Sequence, residues 1–301
     1  MVRTVVTGLD GSAESQAAAE WAAREARTRG LSLELLHIWE PVPEPVVQAP
    51  LLGGETLQHW SEKIPRHAAD GIRMRHPGLD VQARHVPGRP ADILTEAAKD
   101  AELIVLGSRG LSGIGGFMVG SVGLAVVAHA ERPVVLVRAG ERAADEHEPD
   151  PAGVPSATTP FRPVVLGLDI SDPDDSVIEF AFEEAARRQT GLRVVSGWNL
   201  PPYYVYGLAA DPLLHDEIAR QKTAELTEAL RPWRDKYPAV DVVEVSRSDS
   251  PANLLVAAAG AASLVVVGRR VRRNPLGAHI GPVTHAVLHH STAPVAVVPH
   301  D

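Results

Sequence analysis

The stretch "LIVLGSRGLSGIGGFMVGSVGLAVV" (residues 103–127) decides how this chain is read. Leu103 to Leu106 form a short continuous apolar run, which suits a strand covered on both faces. Six glycines and three serines follow within residues 107–121. From Ser121 onward Val122, Leu124, Ala125 and Val126 read as a helix. A strand, a glycine-rich loop and a helix N-terminus in succession make a place for an anion. Helix N-termini carry unpaired N–H groups and the positive end of the dipole, and glycine permits close backbone approach and positive φ. Gly107, Gly110, Gly120 and Ser121 give the pattern G-x2-G-x9-G-S, with Arg109 adding charge. Ser121 is expected either to cap the helix or to donate its hydroxyl to a phosphate oxygen. The loop is not a Walker A loop, because no Gly-Lys-Ser/Thr occurs. It is not the dinucleotide fingerprint either, because that motif follows the first strand.

Working outward, the chain repeats itself. "VVTGLDGS" (5–12) matches "VVLGLDIS" (164–171), "DILTEAAKDAELIVLG" (92–107) matches "NLLVAAAGAASLVVVG" (253–268), and "RPVVLV" (132–137) matches "APVAVV" (293–298). The segment between the copies is polar, charged and rich in proline, and reads as a linker over 140–160. Two domains are therefore expected, at 2–139 and 161–300. Within the first, strands near 3–9, 32–39, 80–86, 103–107 and 133–137 alternate with helices near 13–29 and 55–75, after Gly88, and from 121. Pro90 stands in the first turn of the third helix, where a missing N–H is harmless. Such alternation builds an α/β, doubly wound parallel sheet with helices on both faces.

Composition narrows the function. The 301 residues are 45% hydrophobic and carry a formal net charge of −9, against the clustered basic charge that nucleic acid requires. No cysteine is present, so disulfides, thiolate nucleophiles and cysteine-ligated metals are excluded. No apolar run reaches the roughly 18–20 residues of a membrane helix. Met1 leads almost at once into strand-like sequence, so a cytoplasmic protein without a signal peptide, bound to neither membrane nor nucleic acid, is expected.

The motifs "GLDGS" after the first strand, "VPGRPADIL" before the third helix, the glycine loop and "RPVVLV" together resemble a tandem universal stress protein, over nearly all of both halves. The resemblance implies a five-stranded parallel sheet in the order 3-2-1-4-5 in each domain, and a nucleotide, ATP with Mg2+, at the crevice between strands 1 and 4. It places Asp10 near ribose, phosphate or an indirectly held metal. Gly107, Gly110, Gly120 and Ser121 would hold ribose and phosphates, and Ile38 would meet the adenine. Asp10 also has a plain structural reading, as part of a strand end and helix cap, and the two roles are compatible. The resemblance further implies pairing through the last strands of the two halves, 133–137 and 294–298, with a homodimer as another way to cover such apolar edges.

The second copy keeps Asp169, Gly268 and Gly281 but has Val271 and Pro282 where the first has Gly110 and Ser121. Val disfavours positive φ, and Pro supplies neither N–H nor hydroxyl. Arg269, Arg270, Arg272 and Arg273 crowd this loop, where they either hold an anion, dock on an acidic partner or face solvent. The second site is expected to be degenerate. His285 and His289 have the i,i+4 spacing of a metal pair without an evident third ligand. Asp172, Asp174 and Asp175 lack the glycine and distal glutamate of a calcium loop and are expected to cap a helix near 174. "PPYYVY" (201–206) reads as packing, a lid or a partner contact. No Ser-His-Asp arrangement is committed by the sequence. The leading expectation is a stress-response protein with nucleotide as a regulatory ligand. The rivals are a slow ATPase or nucleotidyl transferase, and a nucleotide-independent interaction protein.

Overall fold

The computed structural model describes residues 3–40, 54–110, 117–199, 212–271 and 280–301. The chain forms two compact units, one running from Met1 to Arg142 and one beginning at Ala143.

The first unit runs β1 (Thr4–Leu9), α1 (Ala13–Arg29), β2 (Ser32–Trp39), α2 (Gly54–Arg75), β3 (Val81–Pro87), α3 (Pro90–Asp100), β4 (Ala101–Gly110), β5 (Phe117–Met118), α4 (Ser121–His129) and β6 (Val134–Arg138). Its sheet has the order β3-β2-β1-β4-β6, with every one of these neighbours parallel. The second unit runs β7 (Val164–Gly167), α5 (Asp175–Arg188), β8 (Leu192–Trp198), α6 (Pro212–Lys236), β9 (Val242–Ser248), α7 (Pro251–Ala259), β10 (Leu264–Arg270), α8 (Pro282–His290) and β11 (Val295–His300). Its order is β9-β8-β7-β10-β11, again parallel. Both follow the 3-2-1-4-5 plan, in which the first strand lies centrally and the connection reverses between it and the fourth.

The central strands carry the core. Val5, Leu33, Leu35, Leu103, Ile104 and Val135 are fully buried, as are Val164, Leu192, Val194, Leu264 and Val265 in the second unit. Helix α1 presents Ala18, Ala22, Ala23 and Ala26 to the sheet around buried Trp21. Small side chains let the helix lie close to the strands, and Ala has the strongest intrinsic helix preference. The helix starts at Ser12, whose hydroxyl accepts from the Ser15 amide, and stops at Gly30 in the left-handed region (φ 66°). In α5 the corresponding stop is Gln189 (φ 52°), a non-glycine residue in the same conformation.

Two features depart from the sequence reading. Strand β4 does not end at Gly107 but runs to Gly110, and β5 returns antiparallel to it, pairing Arg109 with Met118 and Gly110 with Phe117. The two ends of the glycine loop thereby satisfy each other's backbone groups. Residues 140–160 also carry structure of their own. They hold a short 3-10 helix (Ala143–Glu146) and a turn in which Asp150 Oδ1 accepts from the Ala152 and Val154 amides at 2.9 and 2.8 Å. His147 bridges to Phe161, with ring centroids 4.0 Å apart. No helix among the described residues is long and apolar enough to cross a membrane.

Candidate functional site

At the carboxyl ends of β1 and β4, where the connection reverses, the first unit has a cleft of about 290 Å3. Asp10, Ile38, Gly107, Gly120 and Ser121 all line it. Residues separated by over a hundred positions in sequence are thus brought to one crevice, because parallel strands point the same ends the same way. The first turns of three helices open onto it: Ser12, Glu14 and Ser15 of α1, Pro90 of α3, and Ser121, Val122 and Gly123 of α4. Their N–H groups and dipole ends favour an anion. Gly8, Leu94 and Leu106 complete an apolar floor. Arg109 and Gly110 continue β4 beyond Gly107, and their side-chain environment lies outside the described residues, as does the loop 111–116.

Asp10 serves the turn as well as the cleft. Its Oδ1 accepts from the Ser12 amide at 2.9 Å and from the Ser12 hydroxyl at 2.5 Å. Ser12 in turn caps α1, so the carboxylate orients the cap that starts the helix. Gly11 between them takes φ +82°, which L residues rarely adopt. His37, buried on β2, donates from Nδ1 to the Leu9 carbonyl at 2.7 Å, which fixes the strand end from which Asp10 leaves.

The glycines act differently from the expectation of positive φ. Among described residues the positive-φ glycines are 11, 30, 78, 88, 140 and 153, and neither Gly107 nor Gly120 is one of them. Gly107 is glycine because α1 crosses it: an added Cβ would stand 2.5 Å from the Glu14 carbonyl carbon. Among the described residues Gly120 has nothing within 4 Å of such a carbon, so a side chain there would meet none of them. Gly120, not Ser121, is the N-cap of α4, and no side chain caps that helix. Ser121 is exposed at the first helical position, with its hydroxyl free of any capping duty.

The second unit has a cleft of about 500 Å3 at the equivalent place, lined by Asp169, Gly268, Gly281 and Pro282. It is chemically different. Its lining includes Asp172, Asp174, Arg270, Thr284 and His300. Arg270 is ion-paired with Asp172, and His300 Nδ1 lies 3.5 Å from Asp174 Oδ2. Thr284 donates to the Gly268 carbonyl at 2.9 Å. The four arginines do not share one loop. Arg269 and Arg270 finish β10, and Arg269 is buried, which lowers its pKa through desolvation. Val271 continues the strand edge, its amide donating to the His300 carbonyl at 2.6 Å. Arg272 and Arg273 lie outside the described residues, as does 201–206.

Asp174 caps α5, its Oδ1 accepting from the Ser176 and Val177 amides at 2.9 and 3.4 Å. The His285 and His289 rings lie tilted at 39° to each other with centroids 4.4 Å apart. Burial, then the neighbouring His289 and His290, lowers the His285 pKa. Among the described residues no group of three or more possible metal ligands comes together.

The sequence reading missed Glu14, Asp172 and His300 as parts of the cleft walls, and named Arg270 there only as one of four arginines. Glu14 was legible as the acidic residue of a helix first turn. His300 was not, since only the β10–β11 register (Arg270 opposite His300) carries it to the cleft.

A family model described as the universal stress protein family matches residues 1–138 and 160–299. The universal stress protein Rv2005c of Mycobacterium tuberculosis is 33% identical over 310 residues, covering 97% of this chain and 96% of that protein. Rv1996 of the same organism is 32% identical over 327 residues, covering 99% and 96% respectively. Among solved structures, a universal stress protein from Archaeoglobus fulgidus is similar with a TM-score of 0.71 over all of both chains, at 16% identity, a likeness of fold alone.

Proposed function

Since the chain belongs to the universal stress protein family, we propose that its first unit binds a nucleotide, ATP with Mg2+, as a regulatory ligand. One observation carries this reading: Asp10, Ile38, Gly107, Gly120 and Ser121 line a single cleft at the reversal point of the sheet. Phosphates would lie at the start of α4, where Ser121 adds a hydroxyl and the amides of the first turn are unpaired. The base would lie toward Ile38 and the apolar floor. Asp10 and Glu14 suit a Mg2+ ion whose other ligands are phosphate oxygens and water, since that ion keeps several waters and takes one or two carboxylates. Ligand binding rather than turnover is the proposed role. The nucleotide would stabilise one conformation or assembly by mass action.

Titration calorimetry with Mg-ATP tests the reading. One equivalent per chain is expected, abolished by Gly120→Val, whose side chain would fill open space at the helix start. AMP and cyclic AMP titrated alongside distinguish chain length, because helix N-termini read anionic charge and not the number of phosphates. Absence of binding would put the nucleotide-independent interaction protein first. Turnover above background, lost in Asp10→Asn, would favour the enzyme.

A further inference from the structure

We infer that the second cleft excludes nucleotide because its added carboxylates set like charge against phosphate and neutralise the cation on its wall. This deepens the reading of the first cleft as a nucleotide site. In the first unit Ser12 caps α1 directly after Asp10-Gly11, with a neutral hydroxyl. In the second, Ser171 is followed by Asp172-Pro173-Asp174 before α5 begins, and the cap is the carboxylate of Asp174. The added residues bring two negative charges to the cleft wall.

Each of those charges is matched to a donor or cation. Asp174 takes the Ser176 and Val177 amides, so a charged carboxylate caps α5 where the neutral Ser12 hydroxyl caps α1. The same residue faces His300, whose Nε2 lies 2.8 Å from where a Cβ of Gly268 would be. His300 thus fills the space beside Gly268 that the α1 backbone fills beside Gly107. Asp172 pairs with Arg270, a cation on the cleft wall. Asp169 adds a third carboxylate, as Asp10 does in the first unit. Pro282 removes the N–H and hydroxyl that Ser121 supplies. The pair between Arg270 and Asp172 is more than half exposed on both sides, so alone it resists little. Exclusion is collective: an incoming phosphate meets a neutralised cation and like charge at the cleft wall.

The test is the number of Mg-ATP equivalents bound by the full chain, read by calorimetry, in wild type and in Asp172→Asn/Asp174→Asn. Asn is as good an N-cap as Asp, so α5 is retained. The double variant is expected to bind one equivalent more than wild type, with affinity at the second cleft raised about tenfold, the scale of two partly exposed ion pairs. Adding Arg270→Ala should remove that equivalent. Asp172→Asn alone, an exposed change, should move affinity the same way by a smaller factor. The inference is overturned if a folded double variant binds no more than wild type, or if wild type already fills both clefts. Because the readout is the difference from wild type, a first cleft that binds nothing defeats the proposed function and leaves this result readable.

Discussion

A side-chain carbon added to Gly107 would stand 2.5 Å from the backbone carbonyl carbon of Glu14 and 2.8 Å from the Ser15 amide nitrogen. Strand β4 at Gly107 and the first turn of α1 are therefore in backbone contact at the floor of the cleft. That contact sets the distance between the two walls.

Gly107→Ala must push α1 away from the sheet. It is expected to cost about 3 kcal/mol, in the range of overpacked sites. Gly120→Ala, facing open space, should cost no more than about 1 kcal/mol, the difference in N-cap preference. Thermal unfolding of the two variants side by side checks this. Equal losses would refute the assignment of Gly107 to packing.

Gly11 at φ +82° holds the turn between Asp10 and Ser12. Gly11→Ala should destabilise by about 1 kcal/mol through left-handed strain. It should also weaken nucleotide binding, because Asp10 and the α1 cap shift together. A variant with wild-type stability and affinity would show that the turn tolerates a Cβ.

Glu25 and Arg29 form a buried ion pair at 2.6 Å late in α1, and Glu184 repeats it with Arg188 at the same place in α5. Truncating one partner leaves a buried charge uncompensated. Glu184→Ala should therefore cost about 3–5 kcal/mol, whereas Glu184→Leu/Arg188→Met should cost much less. Chemical denaturation of the single and double variants decides it. A double variant as unstable as the single one would refute the electrostatic cause.

Burial alone would raise the Glu20 pKa, but hydrogen bonds and charge from Arg75 and His76 outweigh it and hold the carboxyl below 4.5. A carboxylate depressed in the folded state contributes stability above its unfolded pKa. That contribution is lost as pH falls through the folded value. Glu20→Gln should thus lower the melting temperature at neutral pH, with the gap to wild type closing below pH 4.5. A gap independent of pH would assign the loss to packing.

The strands and helices were legible because apolar runs, caps and Pro90 each mark a boundary by local chemistry. The meeting of Asp10 with Gly120 followed from topology once the alternation was read. What escaped was non-local. Gly107 and Gly120 look alike in sequence, yet one meets a crossing helix and the other meets none of the described residues. Arg269 and Arg270 are consecutive, but strand alternation buries the first and brings the second to the cleft. His300 reaches its place only through pairing across β10 and β11.

Every described residue that lines the first cleft, from Gly8 to Gly123, precedes the second unit in the chain, and β6 ends at Arg138. On a ribosome adding about 5–20 residues per second, the remaining half takes roughly 8–30 s to appear. A nucleotide held there as proposed would stabilise the amino-terminal unit during that interval, before the second unit exists.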